Sequence, residues 1–396
     1  MKTIKTTIAI ALIFVLSIAV NAQKEDIPFK KSLKVEGRVM YDFNFLSDGD
    51  DYSYAGNEFR RVRLALKGNV SKNIGYKAEF DFAGGAVNFR DVYLKYKMGG
   101  KNGSLIFGSF TEPSSLNNMT SSKYITFFER SMMSNTQHFK YNAGIMYDNQ
   151  KLLDGRMGLQ LAYTFAGDKS AAFIDKSLQE GANFIARVTG TVINDKESHK
   201  VVHLGLNYEH RDNDSNTYKY KFRTENHMGK KQEVKNLAGN FENTSDIGFE
   251  LATTFGSLSV QGEYEMGSIN TDDKDYKSAG YYAFVSYFVT GEHRPYKNSS
   301  FGRVKPKSEF GKDGGLGAIE LVARYSNMDL NDTFDVDGTS NNDYSISNIT
   351  LGVNWHLNKY TRFMYNYTNG NHNDFNTYGT AGEKLSGHLM RFQIDF

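Results

Sequence analysis

Alternation of apolar and polar residues with a period of two is the feature that most constrains this chain. From Val35 to Phe45 the odd positions are apolar or aromatic apart from Gly37, whereas the even positions from Glu36 to Asn44 are mostly polar. Successive side chains of an extended strand point to opposite faces, so each segment has one apolar and one polar face. Because the pattern returns as far as the carboxyl terminus, the chain is predicted to be all-β.

Sixteen segments of this kind are predicted to be strands. They cover residues 33–45, 59–68, 75–83, 88–97, 103–111, 138–148, 156–166, 182–193, 199–210, 245–255, 257–267, 278–290, 315–327, 345–357, 361–369 and 386–396. Their typical length of about ten residues is what a tilted strand needs to cross a bilayer. The even number of strands and their length predict a single transmembrane antiparallel β-barrel.

A soluble β-sandwich also alternates, but two features argue against it here. Aromatic residues make up 14% of the chain and recur near the ends of the apolar stripes, as in Tyr163 and Phe165, where the membrane interfaces of a barrel would lie. The opposite faces carry charges such as Arg61, Glu79 and Glu263, which need water rather than a dry core. A closed barrel with a wet lumen satisfies both demands and leaves no unpaired strand edge in lipid.

The first 22 residues are predicted to be a cleaved signal peptide, and residues 23–396 the barrel. Lys2 and Lys5 precede an apolar run from Ile8 to Val20. A cleavage site of small residues follows and ends at Ala22, as in a secretory signal. The run is too short to span a membrane as a helix. The chain holds 47 basic and 45 acidic residues, so loss of the two lysines leaves the mature chain neutral.

Composition and motifs exclude several function classes. Zero net charge argues against a nucleic-acid partner, and the absence of cysteine excludes disulfide scaffolds and thiolate metal sites. No nucleophile elbow or phosphate-binding loop is found. The sequence therefore predicts neither an enzyme nor a metal or organic cofactor.

Two connections stand out by length and charge. Loops alternate with short turns along the barrel, yet the predicted turn at 291–314 is long. It holds six basic residues against three acidic ones, namely Arg294, Lys297, Arg303, Lys305, Lys307 and Lys312 against Glu292, Glu309 and Asp313. A neutral chain thus concentrates positive charge in one segment. The loop at 211–244 is also rich in basic residues, and either gathers anions at a mouth or is simply an exposed loop.

Several blocks of sequence, in order, resemble the phosphate-selective porins O and P. The blocks are Arg60 to Gly68, Tyr76 to Phe82, Arg90 to Tyr96, Phe107 to Pro113, Leu116 to Ser131, Thr290 to Tyr296, Phe301 to Lys307, Ala323 to Ser326, Asp329 to Asp332 and Gly352 to Trp355. The resemblance spans nearly the whole mature chain, although residues of about 150–280 share only the strand pattern.

The resemblance implies a homotrimeric porin of sixteen strands in the outer membrane of a Gram-negative bacterium. It implies passive diffusion of anions, with phosphate or polyphosphate as the expected solute, through a lumen narrowed by a loop folded inward after the fifth strand, here residues 112–137, and by the long turn. Besides the anions, the expected partners are outer-membrane lipid and the other two subunits. The pore-lining, anion-binding residues expected from it and from their charge are Arg61, Arg63, Lys123, Arg130, Arg294, Arg303, Lys305 and Lys307.

Two alternatives remain open at the level of the sequence. One is a broad-specificity porin without phosphate preference, because Glu250, Glu263 and Glu265 are also predicted to face the lumen. The other is a surface-binding, adhesin-like barrel whose lumen is plugged and whose loops bind a partner.

Overall fold

Sixteen long strands form one closed antiparallel barrel in the computed structural model of the protein. The structure describes residues 30–49, 53–136, 141–165, 181–212, 220–229, 232–234, 240–330, 332, 345–372 and 384–396. The barrel strands are β1 (Ser32–Ser47), β2 (Ser53–Asn69), β3 (Ile74–Asp81), β4 (Asn88–Lys97), β5 (Ser104–Thr111), β6 (Tyr141–Leu152), β7 (Met157–Phe165), β8 (Ala182–Asp195), β9 (Lys200–Asp212), β12 (Phe241–Phe255), β13 (Leu258–Thr271), β14 (Asp275–Phe288), β17 (Ala318–Asp329), β18 (Ser345–His356), β19 (Thr361–His372) and β20 (Lys384–Asp395).

Every strand predicted from the alternation is present, so the predicted fold class is confirmed. Each barrel strand pairs with its sequence neighbours, and β1 closes the barrel on β20 in a register that runs from Arg38 opposite Asp395 to Ser47 opposite Ser386. Closure removes the free edges that an open sheet would expose to lipid. The predicted signal peptide, residues 1–22, lies outside the described residues and stays a prediction.

Short elements fill the connections. Two hairpins form small sheets separate from the barrel, β10 (Tyr220–Phe222) with β11 (Gln232–Val234) and β15 (Tyr296–Lys297) with β16 (Ser300–Phe301). Two short helices, α1 (Leu116–Met119) and α2 (Met132–Thr136), follow β5. No helix in the described part of the chain is long and apolar enough to cross a membrane.

The two faces of the wall differ as the alternation predicts. On β1, Phe43 is 42% exposed on the outer surface, whereas its neighbour Asp42 is only 2% exposed and points inward. On β20, Met390 and Phe392 are exposed while Arg391 between them is fully buried. Outward apolar side chains suit contact with lipid tails, and the polar side chains are left to line the lumen.

The segment after β5, residues 112–136, lies inside the barrel and is called the inward loop below. Glu112 anchors its start, because its carboxylate accepts hydrogen bonds from Asn142 (2.8 Å) and Arg211 (2.7 Å). Farther along, lumen-facing arginines donate to its backbone carbonyls: Arg362 to Ile125 (3.0 Å), Arg391 to Phe128 (2.8 Å) and Arg324 to Glu129 (3.0 Å). The loop therefore runs from β5 across to β17, β19 and β20.

The long turn also reaches across the lumen. Its hairpin of β15 and β16 joins β14 to β17, yet Ser299 at its tip contacts Thr189 on β8 (2.6 Å between hydroxyls) and accepts a hydrogen bond from Arg187 at its carbonyl (3.1 Å). Tyr296 contacts His203 on β9 at 2.7 Å. The turn thus also contacts β8 and β9, which lie four and three strands round the barrel from β14.

Candidate functional site

Two polar cavities on either side of the inward loop form the candidate pathway. The first, called cavity A, lies between the loop and strands β1 to β3. Its lining holds five basic and two acidic residues, namely Arg38, Arg63, Lys67, Lys77 and Lys123 against Glu36 and Glu79. Cavity A therefore has an excess of positive charge within a chain that is nearly neutral.

The second, called cavity B, lies between the inward loop, the long turn and strands β17 to β20. Its lining again holds five basic and two acidic residues: Lys123, Arg294, Arg303, Lys359 and Arg362 against Glu320 and Asp395. Lys123 and its neighbour Tyr124 line both cavities. The structure thus brings Arg63, Lys123, Arg294 and Arg303 of the predicted set to two adjoining positive cavities.

Lys123 is the side chain between the two cavities. Its ammonium lies 4.0 Å from a Glu36 carboxylate oxygen and 5.6 Å from the centre of the Tyr124 ring. Burial in the inward loop, helped by the positive charge of Arg38, lowers the pKa of Lys123 to about 8, although Glu36 acts in the opposite direction. Its charge is therefore adjustable near neutral pH.

Arg63 carries more neutralising contacts than the other predicted residues. Its guanidinium contacts Asp81 at 2.8 Å and Glu79 at 3.2 Å, and donates to the Tyr141 hydroxyl at 3.0 Å. The pairing follows from strand register, because Arg63 lies directly opposite Asp81 on β3, where opposite charges attract. Arg63 therefore adds less free charge to cavity A than its residue type suggests.

A bulge in β1 and β2 adds a residue that strict alternation missed. Pairing shifts register between Met40 and Tyr41, so Arg60 is skipped between Arg61 and Phe59. A bulge re-aims the side chains beside it. As a result both Arg60, at 2.7 Å, and Arg61, at 3.6 Å, reach the Glu129 carboxylate of the inward loop.

Arg130 is placed within the inward loop itself. Its guanidinium donates to the carbonyls of Asn117 and Thr120, both at 2.7 Å, and the side chain is buried. These contacts fold the loop back on itself. Arg61 is equally buried beside Glu129, so neither residue lines cavity A or cavity B.

The long turn places its predicted residues in two different surroundings. Arg303 lies between the rings of Tyr124 and Tyr360 and pairs with Asp395, whereas Lys305 and Lys307 are exposed to solvent. Arg294 is buried against the Phe301 ring, 3.7 Å from its centre.

Two arginines that line cavity B, Arg294 and Arg362, each keep a buried donor without a partner in the described part of the chain. Nη2 of Arg294 donates to Gln261 at 3.1 Å, but Nη1 of Arg294 and Nε of Arg362 are buried and have no hydrogen-bond partner among the described residues. Buried donors are normally satisfied by protein or water. Both residues are cations in the lining of cavity B, so these donors lie close to it.

Half-exposed cations on β2 to β4 continue the positive wall beyond cavity A. Lys67 is the most open, with its side chain 41% exposed, and Lys77, Arg90 and Lys95 are also accessible. Each has a carboxylate neighbour, in order Glu36, Asp91, Asp81 and Asp148. Alternation was the available signal for Lys67, Lys77 and Lys95, whereas Arg90 reaches Asp81 through a register shift between β3 and β4; none of the four was chosen from the sequence.

Two lumen-facing acids of the middle strands, Glu250 and Glu263, have partners inside the barrel. Glu250 contacts Arg187 at 2.7 Å and His203 at 2.9 Å, all three fully buried. Glu263 accepts the backbone N–H of Asn117 at 2.8 Å and pairs with the Tyr282 hydroxyl. The Arg187 ion pair therefore offsets the charge of Glu250, whereas Glu263 is held by donors that carry no charge.

The basic loop at 211–244 is only partly described. Arg211 belongs to β9, not to a loop, and pairs with Glu112 and Glu209. Thr224, Glu225 and Asn226 are buried, so this part is not simply exposed. Lys219, Lys230, Lys231 and Lys235 lie outside the described residues.

Comparison with known proteins gives a consistent result. A family model described as phosphate-selective porin O and P matches residues 33–396. Porin O of Pseudomonas aeruginosa is 29% identical over 92% of this chain and 88% of its own length. An uncharacterized protein of Caulobacter vibrioides is 26% identical over 76% of this chain and 62% of its own length.

Solved structures share the fold. An anion-selective porin from Comamonas acidovorans superimposes with a TM-score of 0.60 at 16% identity, covering 93% of this chain and all of the porin. The trimer form of OmpT from Vibrio cholerae gives a TM-score of 0.57 at 12% identity, again over 93% of this chain and all of the other.

Proposed function

Because the chain belongs to the phosphate-selective porin O and P family, we propose that it passes small anions through cavities A and B, with phosphate as the preferred solute. Membership of this family identifies an outer-membrane anion porin, a passive channel rather than an enzyme. The observation that carries the proposed route is the excess of basic residues around both cavities, joined at Lys123.

The mechanism follows from fixed charge in a low-dielectric wall. Basic side chains raise the local concentration of anions and replace part of the water lost from an entering ion. Arginine offers a forked pair of donors, which matches phosphate, and lysine offers a point charge. Diffusion also requires release, so several moderate sites in series serve better than one tight site.

Phosphate preference is supported by cavity B in particular. The unused donors of Arg294 and Arg362 are the type of group that binds several oxygens of one anion. Glu320 in the same lining limits the net charge, which favours release. A broad-specificity anion porin is the alternative that the experiment below must separate.

The homotrimer and the sidedness belong to the same proposal. One structural neighbour is recorded in a trimer form, and outer-membrane porins keep short turns on the periplasmic side. We place the first residue of β1, the long turn and cavity B on that side. The expected partners are outer-membrane lipid, two further copies of this chain and small anions.

Planar bilayers test the proposed function directly. Purified protein inserted into a bilayer with a potassium chloride gradient should give stepwise currents whose reversal potential favours chloride. Added phosphate should then block the chloride current. Anion preference without block would indicate a broad-specificity porin, and an absence of conductance would favour a surface-binding barrel.

Alkaline pH should weaken anion preference through Lys123. Because the pKa of Lys123 is lowered to about 8, the side chain is mostly charged at pH 7 and mostly neutral at pH 9. The chloride-to-potassium permeability ratio should fall by roughly half over this range, since one of the five cations of each cavity is lost. Lys123→Arg, which stays charged, should remove the dependence, and an unchanged slope in that variant would contradict the assignment.

Arg294→Gln should weaken phosphate block more than it changes conductance. Loss of one charge-assisted hydrogen bond is worth about 1.4 kcal/mol, or about tenfold in the half-blocking concentration. Lys312→Gln is the matched control, because it removes one charge from an exposed position of the same turn. Equal effects of the two variants would assign the block to the overall charge of the turn.

A further inference from the structure

Four polar side chains form a compact patch on the lumen face of β17 and β18. Arg324 lies directly opposite Thr350, and Ser326 directly opposite Asn348. All four are buried. Because alternate residues share a face and directly opposite residues are neighbours, their donor groups converge on one small area.

The carboxylate of Glu225 occupies this patch. One oxygen accepts hydrogen bonds from Arg324 (2.5 Å), Asn348 (2.6 Å) and Thr350 (3.2 Å). The other accepts from the Ser326 hydroxyl (2.5 Å) and from the backbone N–H of Met132 (3.2 Å). Five donors on two oxygens saturate a carboxylate, which has about four lone-pair sites.

Glu225 comes from the connection between β9 and β12, not from the wall. Its φ of 45° lies in the left-handed region, which residues other than glycine seldom adopt. The same segment is also anchored on β1 and β2, where His227 contacts Glu58 (2.8 Å) and Asn44 contacts the sulfur of Met228 (2.9 Å). Residues 224–228 therefore bridge β17 and β18 to β1 and β2, past β19 and β20 on the lumen side.

One donor of the patch is left over. Nε of Arg324 is buried and has no hydrogen-bond partner among the described residues, although Nη1 and Nη2 are engaged. A carboxylate has only two oxygens and is already saturated. A phosphate carries more oxygens and more charge, so it matches the full donor set better than the carboxylate does.

We propose that Arg324, Ser326, Asn348 and Thr350 form a binding site for a soluble phosphate, and that Glu225 occupies it as a tethered internal ligand. This inference rests on the proposed anion-porin function. A tethered competitor acts at an effective concentration in the millimolar range, so free phosphate must displace it. The segment then acts as an anion-responsive occupant of the lumen, and the wall beneath it supplies a further phosphate site.

Removing the charge of Glu225 tests the site. Glu225→Gln keeps the shape of the side chain but no longer offers a carboxylate to Arg324. In planar bilayers the half-blocking concentration of inorganic phosphate should fall by about tenfold relative to the unmodified protein. Titration calorimetry of inorganic phosphate into the detergent-solubilised porin should show the same gain without reference to current.

Two further variants separate the site from mere release of the segment. Glu58→Gln loosens the other anchor, through His227, but leaves Glu225 in the patch, so its half-blocking concentration should stay unchanged. Adding Arg324→Gln to Glu225→Gln should abolish the gain. Only channels that insert and conduct are counted, which confirms that each variant is folded.

The contradicting results are equally definite. Equal phosphate block by Glu225→Gln and the unmodified protein, or an equal gain in Glu58→Gln, would overturn the tethered-ligand inference. If the unmodified porin still prefers chloride in the same membranes, the proposed function survives that result. A reversal potential without anion preference would instead overturn the proposed function itself.

Discussion

Replacing Lys77 and Arg90 together by glutamine should turn the pathway from anion-preferring towards cation-preferring. Both side chains are accessible on the lumen face of β3 and β4. Asp91 and Asp81 would lose these two cations, so the local charge falls by two, although Arg63 still pairs with Asp81. Fixed charges in a narrow polar passage set the local concentration of each ion. The chloride-to-potassium permeability ratio should therefore drop by about tenfold.

Reversal potentials in a potassium chloride gradient measure this effect. The matched control is Lys72→Gln with Lys101→Gln, which removes the same charge from exposed turn positions outside the wall. The control should change the ratio little. A double Lys77 and Arg90 variant that keeps its anion preference would show that ions do not pass along β3 and β4.

Arg391→Met should destabilise the barrel and loosen the inward loop. The Arg391 guanidinium is fully buried, contacts Asp42 at 2.6 Å and Glu129 at 3.4 Å, and donates to the Phe128 carbonyl. Breaking a buried ion pair by removing one partner costs about 3–5 kcal/mol, because the other charge is left uncompensated. Single-channel conductance should rise as the loop loses this anchor.

Urea unfolding in lipid vesicles measures the stability change. Trp355 is the single tryptophan of the chain, so its fluorescence reports on the barrel wall alone. Adding Asp42→Leu should restore most of the lost stability, since it removes the orphaned carboxylate.

Lys274→Met is the control for burial. It breaks an ion pair with Asp332 in which both side chains are more than a third exposed, so the free energy of unfolding should change by under about 1 kcal/mol. A similar loss in both single variants would contradict the argument from burial.

The period-two alternation was sufficient to predict the wall. It located all sixteen strands and assigned Phe43 outward and Asp42 inward, because the side-chain period of a strand is a local property of the backbone. The anomalous length and charge of the turn at 291–314 likewise pointed to Arg294 and Arg303 beside cavity B. The sequence resemblance identified the family that the comparison confirmed.

Alternation could not predict which charges remain available to a solute. A bulge of one residue brings Arg60 inward beside Arg61, and cross-strand register neutralises Arg63 with Asp81. Arg130 and Lys123 are both basic residues of the same loop, and nothing in the sequence distinguishes their roles. Only the path of the inward loop uses one as a backbone clamp and places the other between the two cavities.

What the sequence alone determined is therefore the cylinder: its strands, its inner and outer faces and the family to which it belongs. The tertiary structure decided the electrostatics of the interior. Glu129 meets Arg391 from 262 residues away, and Glu225 meets Thr350 from 125. Such pairings depend on register and on where long connections fold, and Coulomb interactions act over a few ångströms in space however far apart the partners lie along the chain.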